Sequence, residues 1–155
     1  VDQKNDKIKK LKSEKNFITL NSFLNKIENI IKKFDYFLDE EILFEKDLLG
    51  DEYFIFTFSS PAIHRKIQIA YYTRMELLRI IIKGETSSDK FVLRDFLSQN
   101  KMDADILFRK ENDSFEKYSD QLFQFLEKLI NNELSKIISG FAWQDYYYDW
   151  EGYRD

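Results

Sequence analysis

Apolar residues first recur with a helical period near the N-terminus. Leu20, Phe23, Leu24, Ile27, Ile30, Ile31 and Phe34 share one face, while Asn25, Lys26, Glu28, Asn29, Lys32 and Lys33 fall off it. This spacing predicts a helix with Thr19 or Asn21 as its N-cap. Ahead of it, residues 1–15 hold only Val1, Ile8 and Leu11 as large apolar groups among many lysines. They are expected to form a flexible or loosely helical basic lead-in. Residues 16–155 then form a single domain, a natural count for a chain of 155 residues.

From 36 to 50 the pattern is mixed. Asp39, Glu40, Glu41, Glu45, Lys46 and Asp47 interrupt an apolar series, so a short helix and a short strand around Ile42–Phe44 both fit, with Gly50 as the break. The period then becomes two. Phe54, Phe56 and Phe58 alternate with Tyr53, Ile55 and Thr57. Ser59-Ser60-Pro61-Ala62 reads as a turn, and two more strands follow over Ile63–Tyr72 and Met75–Lys83. Short links make these neighbours antiparallel. One sheet face carries Phe54, Phe56, Phe58, Ile67, Ile69, Leu78, Ile80 and Ile82. The other mixes Lys66, Gln68, Tyr72, Arg79 and Lys83 with Ile55, Leu77 and Ile81.

Ser87 or Ser88 is expected to cap a helix running to about Gln99. Asp105–Arg109 fits either a fourth, edge strand or a helical turn. Asp113-Ser114-Phe115-Glu116 has the form of a capping box led by Asp113. It would open a long helix that runs to Ile138, is weakened at Asn131-Asn132 and is closed by Gly140. The expected fold is α+β: a three- or four-stranded antiparallel β-meander with amphipathic helices packed mainly on one face.

Charge changes this picture because it comes in blocks. Residues 1–33 carry nine Lys against four acids, 35–53 eight acids against Lys46, and 63–83 five bases against Glu76. The formal net charge of −4 argues against general affinity for nucleic acid. Cysteine is absent, which excludes disulfides, thiolate catalysis and cysteine metal sites, and fits a cytoplasmic setting. No apolar run is long enough to span a membrane, and no signal peptide is read. The opening at Val1 rather than Met fits removal of residues ahead of it.

The chemical inventory is thin. His64 is the single histidine, and no Gly-flanked nucleophile turn surrounds Ser59 or Ser60. The carboxylate groups Asp39/Glu40/Glu41, Asp51/Glu52, Asp103/Asp105 and Asp145/Asp149/Glu151 lack the spacing of an EF-hand loop. Four glycines provide no phosphate-cradling loop. No catalytic residue, metal or cofactor is therefore assigned.

Binding surfaces remain. The segment 141–155 interleaves rings with acids: Trp143, Asp145, Tyr146, Tyr147, Tyr148, Asp149, Trp150, Glu151 and Tyr153. Rings supply contact area and carboxylates supply steering, so these are the first candidates for contact with a basic protein. Lys66, Gln68, Tyr72 and Arg79 on the mixed sheet face are the second. The expected function is a non-enzymatic protein-binding module, of the kind of a small bacterial inhibitor or immunity protein. The competing classes are a carboxylate- and metal-dependent hydrolase and a structural subunit, including a homodimer.

Overall fold

The computed structural model describes residues 2–84 and 90–140. Five strands lie in chain order in one antiparallel sheet: β1 Phe37–Lys46, β2 Glu52–Ser60, β3 Arg65–Tyr72, β4 Leu77–Lys83 and β5 Lys90–Val92. The helices are α1 Asp2–Lys12, α2 Phe17–Ile31, α3 Leu93–Gln99, α4 Phe115–Asn131 and α5 Ser135–Ile138. Single 3-10 turns occupy Lys32–Phe34 and Ala104–Leu107. The fold is α+β with an antiparallel meander, as the pattern predicted, but with five strands.

Both added strands have a physical origin. β1 is the segment 36–50, where alternation fails in the sequence because of a bulge. Leu38 pairs with Phe58 and Ile42 with Phe56, so β1 advances four residues while β2 advances two. The surplus carries Asp39, Glu40 and Glu41 out of register and keeps Leu38, Ile42 and Phe44 against the core. An acidic bulge on an edge strand also discourages pairing with a foreign strand. β5 is only three residues long and pairs with Ile81–Lys83. Asp105–Arg109, the other place where an edge strand was expected, begins instead with most of the 3-10 turn.

The core lies between one sheet face and the helices. Phe54, Phe56, Phe58, Ile67, Ile69, Tyr71, Leu78 and Ile82 share one buried cluster with Leu20, Phe23, Leu24, Ile27 and Ile31 of α2 and Leu122, Leu126 and Leu129 of α4. Each such side chain contributes roughly 1.5–3 kcal/mol by leaving water. The basic lead-in is helical through Lys12 and is tied down by buried Leu11. Lys10 adds an ion pair to Glu52 at 3.1 Å and stands 4.3 Å over the Phe44 ring.

Helix ends differ from expectation where two capping groups compete. α2 begins at Phe17, and neither Thr19 nor Asn21 caps it. Asn16 stands at the N-cap, but its side chain turns away to the Tyr71 hydroxyl and the Glu76 carboxylate. α4 is capped by Ser114, whose hydroxyl accepts from the Lys117 amide at 3.1 Å. Asp113, one residue earlier, pairs with the Lys117 ammonium instead. α3 begins at Leu93 rather than near Ser88, because residues 90–92 are used as β5. The long C-terminal helix breaks at Asn132 and resumes as α5.

The C-terminal end of α5 is fixed from the sheet. Tyr36 donates its hydroxyl proton to the Ile138 carbonyl at 2.7 Å, and Arg65 donates to the Ile137 carbonyl. A cation at the carbonyls of a helix C-terminus is favourable in both hydrogen bonding and dipole terms. Gly140 follows at φ +97°, next to Ile63.

Candidate functional site

The first candidates, Trp143, Asp145, Tyr146, Tyr147, Tyr148, Asp149, Trp150, Glu151 and Tyr153, lie outside the described residues. The second set is visible. Lys66, Gln68, Tyr72 and Arg79 all fall on the sheet face opposite α2 and α4, as alternation required. Tyr72 is only 7% exposed. It stacks on its cross-strand partner Tyr53, with centroids 4.7 Å apart and 20° between planes. Its hydroxyl accepts from Arg79 at 3.4 Å. Gln68 donates to Thr57 at 3.3 Å, and Lys66 lies apart, exposed, opposite Lys83. Tyr72 and Arg79 are thus joined by a hydrogen bond, and one ring face of Tyr72 is taken by Tyr53.

The catalytic readings gain no geometry. His64 is exposed in the β2–β3 turn at φ +54°, rather than in a strand as expected. Among the described residues, no hydrogen bond joins it to Ser59 or Ser60. Ser59 donates to Asp39, Asp51 is bound by Arg74, and Asp103 accepts from the Asp105 amide. Among the described residues no three His, Asp or Glu side chains are placed to hold a metal ion, and no helix is long and apolar enough to cross a membrane.

Two polar centres are structural in character. Glu76 sits in the β3–β4 turn at φ +52°, a conformation costly for a residue with a Cβ. Its carboxylate accepts from Asn16 at 2.6 Å and is flanked by Lys15 at 3.4 Å and Arg109 at 3.6 Å. The Asn16 hydrogen bond, then Lys15 and Arg109, hold its pKa below the ordinary value against a smaller opposing effect of burial. Tyr118 on α4 reaches the uncovered part of β4. Its hydroxyl accepts from the Leu78 amide at 3.1 Å and donates to the Leu107 carbonyl at 2.8 Å. Burial pushes its pKa up to about 12.

A feature that sequence reasoning missed stands at the tip of the β1–β2 hairpin. Leu48 and Leu49 are 106% and 89% exposed, consecutive, and both project into solvent. Their turn is nevertheless closely held. Asp47 exchanges backbone hydrogen bonds with Asp51 and Gly50, and its carboxylate accepts from the Leu49 and Asp51 amides, each at 2.9 Å. Gly50 supplies the φ of +86° that closes the loop. Asp51 forms a two-point ion pair with Arg74 of the β3–β4 turn, at 2.6 and 3.0 Å. The Arg74 hydrogen bond holds the Asp51 pKa below the ordinary carboxylate value. Two leucines are thus displayed on a pre-formed loop. Ile18, Phe37 and Phe108 are also exposed, but singly, which is ordinary for a surface.

Beside this tip is a cavity of about 370 Å³. Tyr72, Leu77, Ile80, Val92, Leu107 and Phe108 give it mainly apolar walls, and Asp47 belongs both to its wall and to the tip. It exists because β5 stops at Val92, opposite Ile81, and leaves the start of β4 without a neighbouring strand. The sequence signal was the string Asp47-Leu48-Leu49-Gly50-Asp51: Asx and Gly turn chemistry around two leucines.

The fold and these surfaces define a small antiparallel α+β domain with a rigid apolar hairpin tip. The chain matches no protein-family model, no curated protein and no solved structure.

Proposed function

We propose that the protein is a non-enzymatic protein-binding module, an inhibitor or immunity-type protein that engages a basic partner. The observation that carries this reading is the hairpin tip. Leucine side chains left wholly in water on a loop closed by this many hydrogen bonds contribute nothing to their own fold. A rigid loop also loses little entropy on docking. Large exposed apolar groups on such a frame are suited to fill a partner's pocket.

Charge supports the choice of partner. Glu40, Glu41 and Glu45 are exposed along β1, which leads into the tip. Their field attracts a basic surface and repels an acidic one. The acidic, ring-rich composition of 141–155 points the same way.

The test uses the purified full-length chain as bait, followed by identification of what it retains. A basic protein should be captured, held less tightly at higher salt, and lost with Leu48→Asp/Leu49→Asp. Substituting Trp143→Ser and Trp150→Ser separately measures the contribution of 141–155. Capture that is indifferent to both the tip and the tryptophan substitutions would overturn the reading.

A further inference from the structure

We infer that the segment 141–155 docks on the outward face of the chain's own sheet, whose lysines and arginine take the place of a basic partner. The inference rests on the proposed function only for its consequence, that such a partner competes with this face for the segment.

The face is covered by something other than the helices. Cross-strand pairing puts Thr57, Gln68, Ile81 and Val92 in one row, on the side opposite Phe56, Ile69 and Ile82, and Tyr72 shares that side. Helices α1 to α5 send their buried apolar side chains into the cluster on the other side, and Tyr72, Ile81 and Val92 do not belong to that cluster. Yet Thr57, Tyr72 and Ile81 are each 7% exposed and Val92 only 1%. Side chains on an open sheet face stand out from the backbone and stay wet. Burial here therefore calls for a further layer over the row.

Composition, charge and reach select the layer. Val1, residues 85–89 and residues 141–155 lie outside the described residues. The stretch 85–89, Glu-Thr-Ser-Ser-Asp, has no large apolar side chain. In 141–155, seven of fifteen residues are aromatic, and four acids stand against Arg154. The outward positions of β2 to β4 are complementary, with Lys66, Arg79 and Lys83 and no Asp or Glu. Lys66 and Lys83 stand directly opposite one another, a like-charge pair that an anion relieves. Residue 140 lies against Ile63 in the turn that opens β3. Fifteen residues span up to about 50 Å, whereas the eight residues of β3 occupy about 26 Å, so the whole face is within reach.

The chain's two tryptophans, Trp143 and Trp150, both lie in this segment, so the tryptophan fluorescence of the full chain reads it alone. With no partner added, emission should be blue-shifted and acrylamide quenching several-fold weaker than in urea. Dilution should change neither. Position is read by a nitroxide, which quenches only at short range. Cysteine is absent, so a single thiol can carry the label. On Lys66→Cys, exposed on the face, it should quench strongly. On Gln124→Cys, exposed on α4 beyond the core, it should not. Both sites are exposed, so the fold should be kept, which circular dichroism checks.

Tryptophans as accessible as in urea, or equal quenching by the two labels, overturn the inference. Protection that disappears on dilution assigns the cover to a second copy and overturns it as well. No partner enters these measurements, so their failure leaves the capture of a basic protein to its own test. Capture that fails while the tryptophans stay covered removes the proposed function and leaves the cover in place.

Discussion

Tyr118→Phe removes one oxygen atom and isolates the device that closes the sheet where β5 is missing. The Leu78 amide faces that open edge, and the Tyr118 hydroxyl is its acceptor at 3.1 Å. The same hydroxyl donates to the Leu107 carbonyl at 2.8 Å. Tyr118 is 3% exposed and Leu78 2%, so water has little access to either group. Phenylalanine keeps the ring packing against Phe115 and opens almost no cavity. The cost is therefore that of a stranded amide, about 1–3 kcal/mol, plus a lost hydrogen bond of about 0.5–1.5 kcal/mol. A total near 2–3 kcal/mol is expected. For a chain of this length it lowers the thermal midpoint by roughly 5–10 °C. Urea denaturation should show a reduced midpoint at unchanged slope, and hydrogen exchange should quicken at Leu78 before its neighbours. A loss under about 0.5 kcal/mol would show that the amide finds another partner. The hydroxyl would then not be what closes the edge.

Alkaline pH offers a second check. Tyr118 ionises near 10.0 when unfolded and at about 12 when folded, and burial raises Tyr36 and Tyr71 as well. Their contribution is complete below pH 10 and fades as pH rises through the folded values, so melting temperatures should fall from about pH 10 upward, less steeply in Tyr118→Phe. Glu76 works in the opposite sense, because its pKa is depressed in the fold. Its contribution is present above the unfolded value of 4.5 and lost as pH falls through the folded one. Glu76→Gln should thus cost roughly 1 kcal/mol at pH 7 and progressively less below pH 4.5, as read by urea titration at each pH. Gly50→Ala tests the tip: a Cβ there meets nothing within 4 Å, so the expected loss of about 1 kcal/mol comes from the φ of +86° alone, and calorimetry should show no larger effect.

Much of the fold was legible because most elements obey a single period. The stripe from Leu20 to Phe34 drew α2, and the alternation Phe54, Phe56, Phe58 drew β2 and its faces. β1 was illegible because its bulge inserts acids between Leu38 and Ile42 and destroys the period on which strand reading depends. The α4 cap was displaced by one residue because Asp113 and Ser114 both bear suitable oxygens. Only the three-dimensional position of Lys117 decides between them. Tyr118 looked like one more ring on an apolar stripe, since the amide it serves lies 40 residues away. The tip was overlooked for a related reason. Two leucines beside a glycine resemble the end of a core segment until Asp47 and Asp51 are seen to close the loop beneath them. The cavity depends on where β5 stops, and nothing local in the sequence marks that point.

The leucine tip and residue 140 are fixed at opposite ends of the sheet. Residue 140 is placed by Ile63 and the α5 carbonyls by Tyr36 and Arg65, all beside the β2–β3 turn. The leucine tip is placed by Asp51 and Arg74 at the β1–β2 and β3–β4 turns. The nine residues of β2 lie between them, about 30 Å at the usual rise per residue. Substitutions that share no partner act additively within about 0.5 kcal/mol. If the tip and 141–155 contact a captured partner separately, the tip substitution and Trp143→Ser/Trp150→Ser should lower its affinity by independent factors. A binding double-mutant cycle reads the coupling between them. A coupling energy well above about 0.5 kcal/mol would mean that the tip and 141–155 act on one contact surface, and the separate-contact reading would fall.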